Sequence, residues 1–151
     1  MIFYDPFFKS RTKNLSPLPV PENGPIKINI IISNINAITA KAIIPTTKGA
    51  IFSIDFCISN IRQGNEIIIV SGGAKGSDTL GERYAKQNGF EIERYLADWD
   101  TYGKSAGARR NKKMAEISDY VICFWDGKSK GTKIMIDYAK QFNKPLKIKK
   151  I

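Results

Sequence analysis

Ile67-Ile68-Ile69-Val70 and Tyr120-Val121-Ile122-Cys123-Phe124-Trp125 are apolar at every position. Runs this short, rich in β-branched and aromatic residues, predict strands buried on both faces. Lys27 to Ser33, with Ile28, Ile30, Ile31 and Ile32, predicts a first strand, and Phe90 to Leu96 alternates as another strand should. Helical spacing shows at Ile51, Ile54, Ile58 and Ile61 within Ala50–Arg62, through Tyr84 and Ala85 to Gly89, over Arg109–Ile117, and at Ile134, Met135, Tyr138, Ala139 and Phe142. Pro145 opens a short last strand, Leu146–Ile148. Asn34–Gly49 keeps two readings, because the helical pattern of Ala37–Ile44 is stopped by Pro45. Residues 1–25 hold Pro6, Pro17, Pro19, Pro21 and Pro25 without a sustained period, and predict an extended or disordered leader before one domain over 26–151. Strands alternating with helices imply right-handed crossovers and a sheet covered on both faces. The expected fold class is α/β: a single Rossmann-like three-layer domain with a mostly parallel sheet.

The strand at Ile67–Val70 runs without a spacer into Ser71-Gly72-Gly73-Ala74-Lys75-Gly76-Ser77-Asp78, where Ser77 or Asp78 can cap the next helix. Strand, glycine turn and helix start together make an anion site, since backbone N–H groups can approach a phosphate and the helix dipole favours negative charge. The spacing matches neither G-x-G-x-x-G nor G-x-x-x-x-G-K-[ST], and a tight turn without a ligand is the alternative. In a parallel sheet, ligands bind beyond the carboxyl ends of the strands. Loops 71–78, 97–110 and 126–132 each follow a strand, so all three belong to that edge. They hold most of the glycines and the densest mix of Lys, Arg, Asp and Ser.

Charge and missing residue types narrow the chemistry. The 151 residues carry a net charge of +10 and no histidine, which removes Ser-His-Asp and Cys-His nucleophile pairs and every zinc pattern that needs His. The positive charge favours anionic partners: nucleotides, nucleic acid or phosphorylated metabolites. Much of it lies in Lys104, Arg109, Arg110, Lys112, Lys113, Lys128, Lys130 and Lys133, and in the tail Lys147, Lys149 and Lys150, although a solvated lysine face reads the same way and accounts best for the tail. No run approaches the ~18 apolar residues of a membrane span, and the start lacks a signal-peptide pattern. Cys57 and Cys123, far apart in apolar surroundings, read as reduced core residues of a cytoplasmic protein. No metal set or cofactor is expected.

At the three loops the chain resembles the YspA/YpsA-related branch of the SLOG superfamily, which also holds the LOG phosphoribohydrolases and the DNA-processing protein A family. The matching text is SGGAKGSDTLGERYA, ADWDTYGKSAGARRNKKMAE and SDYVICFWDGKSKGT, spanning roughly residues 66–148 with the spacers. The resemblance implies a Rossmann-like fold that binds nucleotides or nucleotide-derived ligands. By it, Gly72, Gly73 and Gly76 match a first glycine loop close to the ligand. Arg110, Asn111 and Met114 match an R-[KN]-x-x-M helix start, where a guanidinium pairs with phosphate, the amide bonds ribose or base, and Met packs inward. Asp126, Gly127, Ser129, Gly131 and Thr132 match a second loop whose Gly-Thr opens a helix. Two departures stand out. LOG hydrolases carry a glutamate three residues past the threonine, where this chain has Met135, so that bond-breaking chemistry does not carry over. The first strand of the branch usually ends in Gly-Ser-Arg, and here reads Ile32-Ser33-Asn34.

Asp98, Trp99 and Asp100 form a recognition candidate: the indole stacks a base while a carboxylate holds ribose, or Trp99 caps the core and the aspartates face water. Trp125 reads as core, and Asp126 as a general base or an Asx turn before Gly127. The expected ligand-binding set is Ser71, Gly72, Gly73, Gly76, Asp78, Trp99, Arg110, Asn111, Asp126, Gly127, Ser129, Gly131 and Thr132, with Lys75, Lys104 and Lys128 able to neutralise phosphate. The leading function is binding or sensing of a nucleotide-derived ligand without turnover. The alternatives are a hydrolase of an N-glycosidic or phosphate bond using Asp98, Asp100 or Asp126, and a single-stranded nucleic-acid binder; pairing of two copies stays open.

Overall fold

The isoleucine-rich segment IKINIII forms the central strand of a five-stranded parallel sheet. In the computed structural model, which describes residues 24–32, 54–59, 61, 64–73 and 79–150, this is β1 (Ile26–Ile32). The other strands are β2 (Ile67–Ser71), β3 (Glu91–Arg94), β4 (Tyr120–Trp125) and β5 (Leu146–Lys150). Their order is β3-β2-β1-β4-β5, and every neighbouring pair is parallel.

Parallel strands in the middle of such a sheet are sealed on both faces, and the side chains divide accordingly. Ile26, Ile28, Ile30 and Ile32 pack with Ile54, Ile58 and Ile61, which lie one helical face apart, and with Leu80, Tyr84 and Ala85 of α1 (Thr79–Asn88). On the opposite face Ile31, Val70, Val121 and Cys123 meet Met114 and Ala115 of α3 (Ala106–Ile117), and Met135, Ile136 and Ala139 of α4 (Lys130–Gln141). The short α2 (Trp99–Tyr102) lies between β3 and α3. The result is the three-layer Rossmann-like α/β arrangement that the alternation predicts. Among the described residues, no helix is long and apolar enough to cross a membrane.

Cys57 packs against the first cluster and Cys123 inside the second, so the sheet separates the two free thiols. Burial raises the pKa of Cys57 and pushes that of Cys123 up to about 12, which keeps both protonated and unreactive.

Topology sets where a ligand would sit. From β1 the chain moves outward through β2 to β3, then crosses back to the other side of β1 for β4 and β5. The strand order therefore reverses between β1 and β4, and the crevice of a doubly wound sheet opens at such a point, outside the carboxyl ends. Ser71, Arg94 and Trp125 end their strands on this edge. The leader through residue 23, the segment 33–53 and the loop positions Ala74, Lys75, Gly76, Ser77 and Asp78 lie outside the described residues.

Several boundaries differ from the expected ones, for local reasons. β1 begins at Ile26, which extends the Ile28, Ile30, Ile32 alternation by one step and pairs with Ile67, and β5 continues to Lys150 because backbone pairing with β4 holds residues whose side chains show no burial pattern. The stretch expected as a loop over 97–110 contains α2, a 3₁₀ turn at Gly103–Ser105 and the start of α3. Asp98 caps α2 by accepting from the Thr101 N–H at 2.9 Å, and Gly103 closes it with φ +47°. Four residues are too few for a hydrophobic period to show. The helix expected from Arg109 begins instead at Ala106, so Arg110 and Asn111 lie in its second turn and not at its start. Likewise α4 begins at Lys130, inside the expected 126–132 turn.

Candidate functional site

Arg110 and Asn111 stitch the edge together. The Arg110 guanidinium donates from Nη1 to the Gly72 carbonyl at 3.0 Å, and from Nε and Nη2 to Asn111 Oδ1 at 3.3 and 3.2 Å. Asn111 in turn donates through Nδ2 to the Gly131 carbonyl at 3.1 Å. The glycine turn after β2, the second turn of α3 and the start of α4 thus form one hydrogen-bonded unit. Asn111 is 4% exposed, so its amide sits where lost partners are expensive. Met114, one turn on, packs inward at 1% exposed.

Gly72 has a steric reason to be glycine. A Cβ there would lie 2.8 Å from Arg110 Cζ, so the guanidinium occupies the space that any side chain would take. Gly73 has φ +64°, and a Cβ would meet Leu96 Cδ2 at 2.7 Å. Its N–H donates to Ser71 Oγ at 3.2 Å, and Ser71 Oγ donates to Glu82 Oε1 at 2.8 Å.

Glu82 is a positioning residue that sequence reasoning missed. It lies in α1 and also accepts from Arg94 Nε (2.9 Å) and Nη2 (2.7 Å), a bidentate pair across the end of β3. The Arg94 guanidinium, with help from the Ser71 hydroxyl, holds the Glu82 carboxyl below the usual carboxylate range. The signal was weak, since residues 11 and 12 apart meet only once β2, α1 and β3 form a crossover. Because the folded value lies below the unfolded one, this contribution is fully present above about pH 4.5 and is lost as pH falls through the folded value. Glu82→Gln should therefore lower the melting temperature at pH 7, with the gap to the parent chain closing in acid. Thermal melts from pH 7 to pH 3 check this, and a gap that widens in acid would refute it.

The loop after β4 is organised by Asp126. Its Oδ1 accepts from the Lys128 and Ser129 N–H groups at 2.9 and 2.8 Å, an Asx-type turn. These N–H groups, Ser129 first, lower its pKa. Ser129 caps α4, accepting from the Thr132 N–H and hydroxyl, and Thr132 is buried. Trp125 is half-buried against the second cluster and donates from Nε1 to the Ser129 carbonyl at 3.2 Å. Gly127 is exposed at φ +78°.

Asp98 belongs to the cap of α2, where the Thr101 hydroxyl and then its N–H lower the carboxyl pKa. Trp99 does not cap the core: it is 59% exposed, with its ring edge against Gly107. Asp100 and Lys104 are exposed beside it, and Lys128 is exposed on the loop after β4. Part of the basic surface serves its own helices, since Lys113 faces Glu116 at 3.9 Å and Lys133 pairs with Asp137 at 2.8 Å. Among the described residues, no group of three His, Cys, Asp or Glu side chains comes together to hold a metal ion.

Comparison with known proteins agrees with the fold. The sequence pattern of the YspA, cpYpsA-related SLOG family matches residues 58–102, which covers β2, α1, β3 and α2. The Gene 61 protein of Mycobacterium phage D29 is 35% identical over 91 residues, 56% of this chain and 73% of that protein. Among solved structures, DNA processing protein A (DprA) from Streptococcus pneumoniae superposes with a TM-score of 0.57 at 17% identity, over 83% of this chain and 50% of that one. The chain thus spans half the length of that structure, and the likeness is one of fold.

Proposed function

Because this chain belongs to the YspA, cpYpsA-related SLOG family, we propose that it binds a nucleotide or nucleotide-derived ligand at the carboxyl edge of its sheet and does not turn it over. The observation that carries this reading is the Gly72–Arg110–Asn111–Gly131 unit. It draws a glycine turn, a guanidinium and a helix N-terminus into one place. The first N–H groups of α4 have no carbonyl partner within their helix, and the dipole adds positive potential there. The bonds to Gly72 and Asn111 leave outer N–H groups of the guanidinium for a phosphate. Both arginine and amide are held before any ligand arrives, which reduces the ordering cost of binding.

Two features favour binding over hydrolysis. Met135 stands where LOG hydrolases place their glutamate, and its side chain is fully buried against the sheet. Asp98 and Asp126 each accept backbone N–H bonds that depress their pKa, so near neutrality they have no proton to give and little basicity. A cytoplasmic setting suits the two free thiols.

A thermal-shift screen with AMP, NAD and ADP-ribose, followed by chromatography of every hit, tests the proposal. At a hundred times its Kd a ligand adds ~2.7 kcal/mol, hence roughly 5–10 °C for a domain of this size. At least one compound should reach this shift and be recovered intact. Release of free base would favour the hydrolase, and a flat response with tight single-stranded DNA binding would favour the nucleic-acid reading.

A further inference from the structure

The described residues include five exposed large hydrophobic side chains, and three of them fall within seven positions: Leu96, Trp99 and Tyr102, which are 75%, 59% and 46% exposed. Such a concentration asks for an explanation, whereas scattered single residues do not. Each is fixed against an element of the candidate site. Leu96 Cδ2 fills the space above Gly73, 2.7 Å from where a Cβ would be. Trp99 Cη2 lies 3.4 Å from the corresponding point on Gly107, in the first turn of α3. The Arg109 guanidinium sits over the Tyr102 ring, 4.6 Å from its centroid. A cation–π contact of this kind holds the ring and adds positive charge beside it. The α2 segment that carries Trp99 and Tyr102 is itself closed at both ends, by the Asp98 cap and by the Gly103 N–H donating to the Trp99 carbonyl.

An indole fixed along one edge, with more than half its surface open and cations on the neighbouring helix, suits a flat, electron-poor ring joined to an anion. We propose that Trp99 is the stacking platform for the heterocyclic base of the ligand, so that the site takes base-bearing nucleotides and discriminates against sugar phosphates that lack a base. This rests on the nucleotide reading above and adds which part of the ligand α2 recognises. Every base has a π-face, so stacking tolerates base identity and grades with ring area, purines above pyrimidines.

Calorimetry with AMP, CMP, NAD, ADP-ribose and ribose 5-phosphate on the full chain tests the platform. AMP should bind more tightly than CMP, and both more tightly than ribose 5-phosphate. Trp99→Ala should weaken AMP roughly 5- to 100-fold while leaving ribose 5-phosphate unchanged, and Trp99→Phe should keep most of the affinity. The melting temperature should hardly move, since an exposed side chain contributes little to the fold. If Trp99→Ala binds AMP as well as the parent chain does, while Arg110→Ala does not bind it, the platform is refuted and the phosphate site stands. If none of the five compounds binds the parent chain, the nucleotide reading itself fails.

Discussion

Gly72→Val should abolish ligand binding and cost about 1–3 kcal/mol of stability, the ordinary range for forcing extra atoms into a filled space. The Cβ alone would lie 2.8 Å from Arg110 Cζ and 2.9 Å from Nε, too close for either to stay. A free arginine would swing aside at little cost. This one is held by the Gly72 carbonyl and by Asn111 Oδ1, so moving it breaks those bonds together. The explanation can be isolated with a double-mutant cycle. Gly72→Ala should be costly in the parent chain and close to neutral alongside Arg110→Ala, because the clashing atoms are then gone. Urea unfolding of the four proteins measures the coupling. Equal cost in both backgrounds would mean that Gly72 is required for some other reason.

Asn111→Leu should destabilise the fold by about 1–3 kcal/mol, since the Gly131 carbonyl loses the buried Asn111 amide as a donor and the guanidinium loses an acceptor. Asn111→Asp separates the two roles. It keeps an acceptor for Arg110 but turns a carboxylate toward the Gly131 carbonyl and toward any phosphate at α4. Ligand affinity should therefore fall far more than stability does. Unfolding and calorimetry on both variants give the comparison, and an aspartate variant that binds normally would place the phosphate elsewhere.

Much of the framework was legible because it depends on burial. Ile67–Val70 and Tyr120–Trp125 announce themselves as central strands, and the order of elements then implies the parallel sheet. The same logic brings the segments bearing Gly72, Arg110, Asn111 and Gly131 to one edge, where the structure joins them directly, although all but Gly72 lie within helices. What escaped the sequence depends on single polar contacts. Asp98 makes a helix of four residues, and no hydrophobic period marks it. Glu82 reads as an ordinary solvent-facing helical residue until β2 and β3 lie side by side and bring Ser71 and Arg94 to it. Trp99 next to two aspartates fits a core cap or an open platform equally well, and only the path of α2 shows the ring facing outward.

β1 reads Ile-Lys-Ile-Asn-Ile-Ile-Ile, so sliding it by two residues along its neighbours would keep isoleucine against the first cluster almost everywhere. Apolar contacts alone distinguish such alignments poorly. Asn29 breaks the degeneracy. It is wholly buried between Val70 and Val121, and its Nδ2 donates to the Val70 carbonyl at 3.3 Å while Oδ1 has no partner among the described residues. The native alignment thus satisfies half of this amide, and a shifted one must find new partners or bury all of it unpaired. A residue that weakens the core here acts as a key cut for one lock, giving up some stability so that the central strand has a single place to stop.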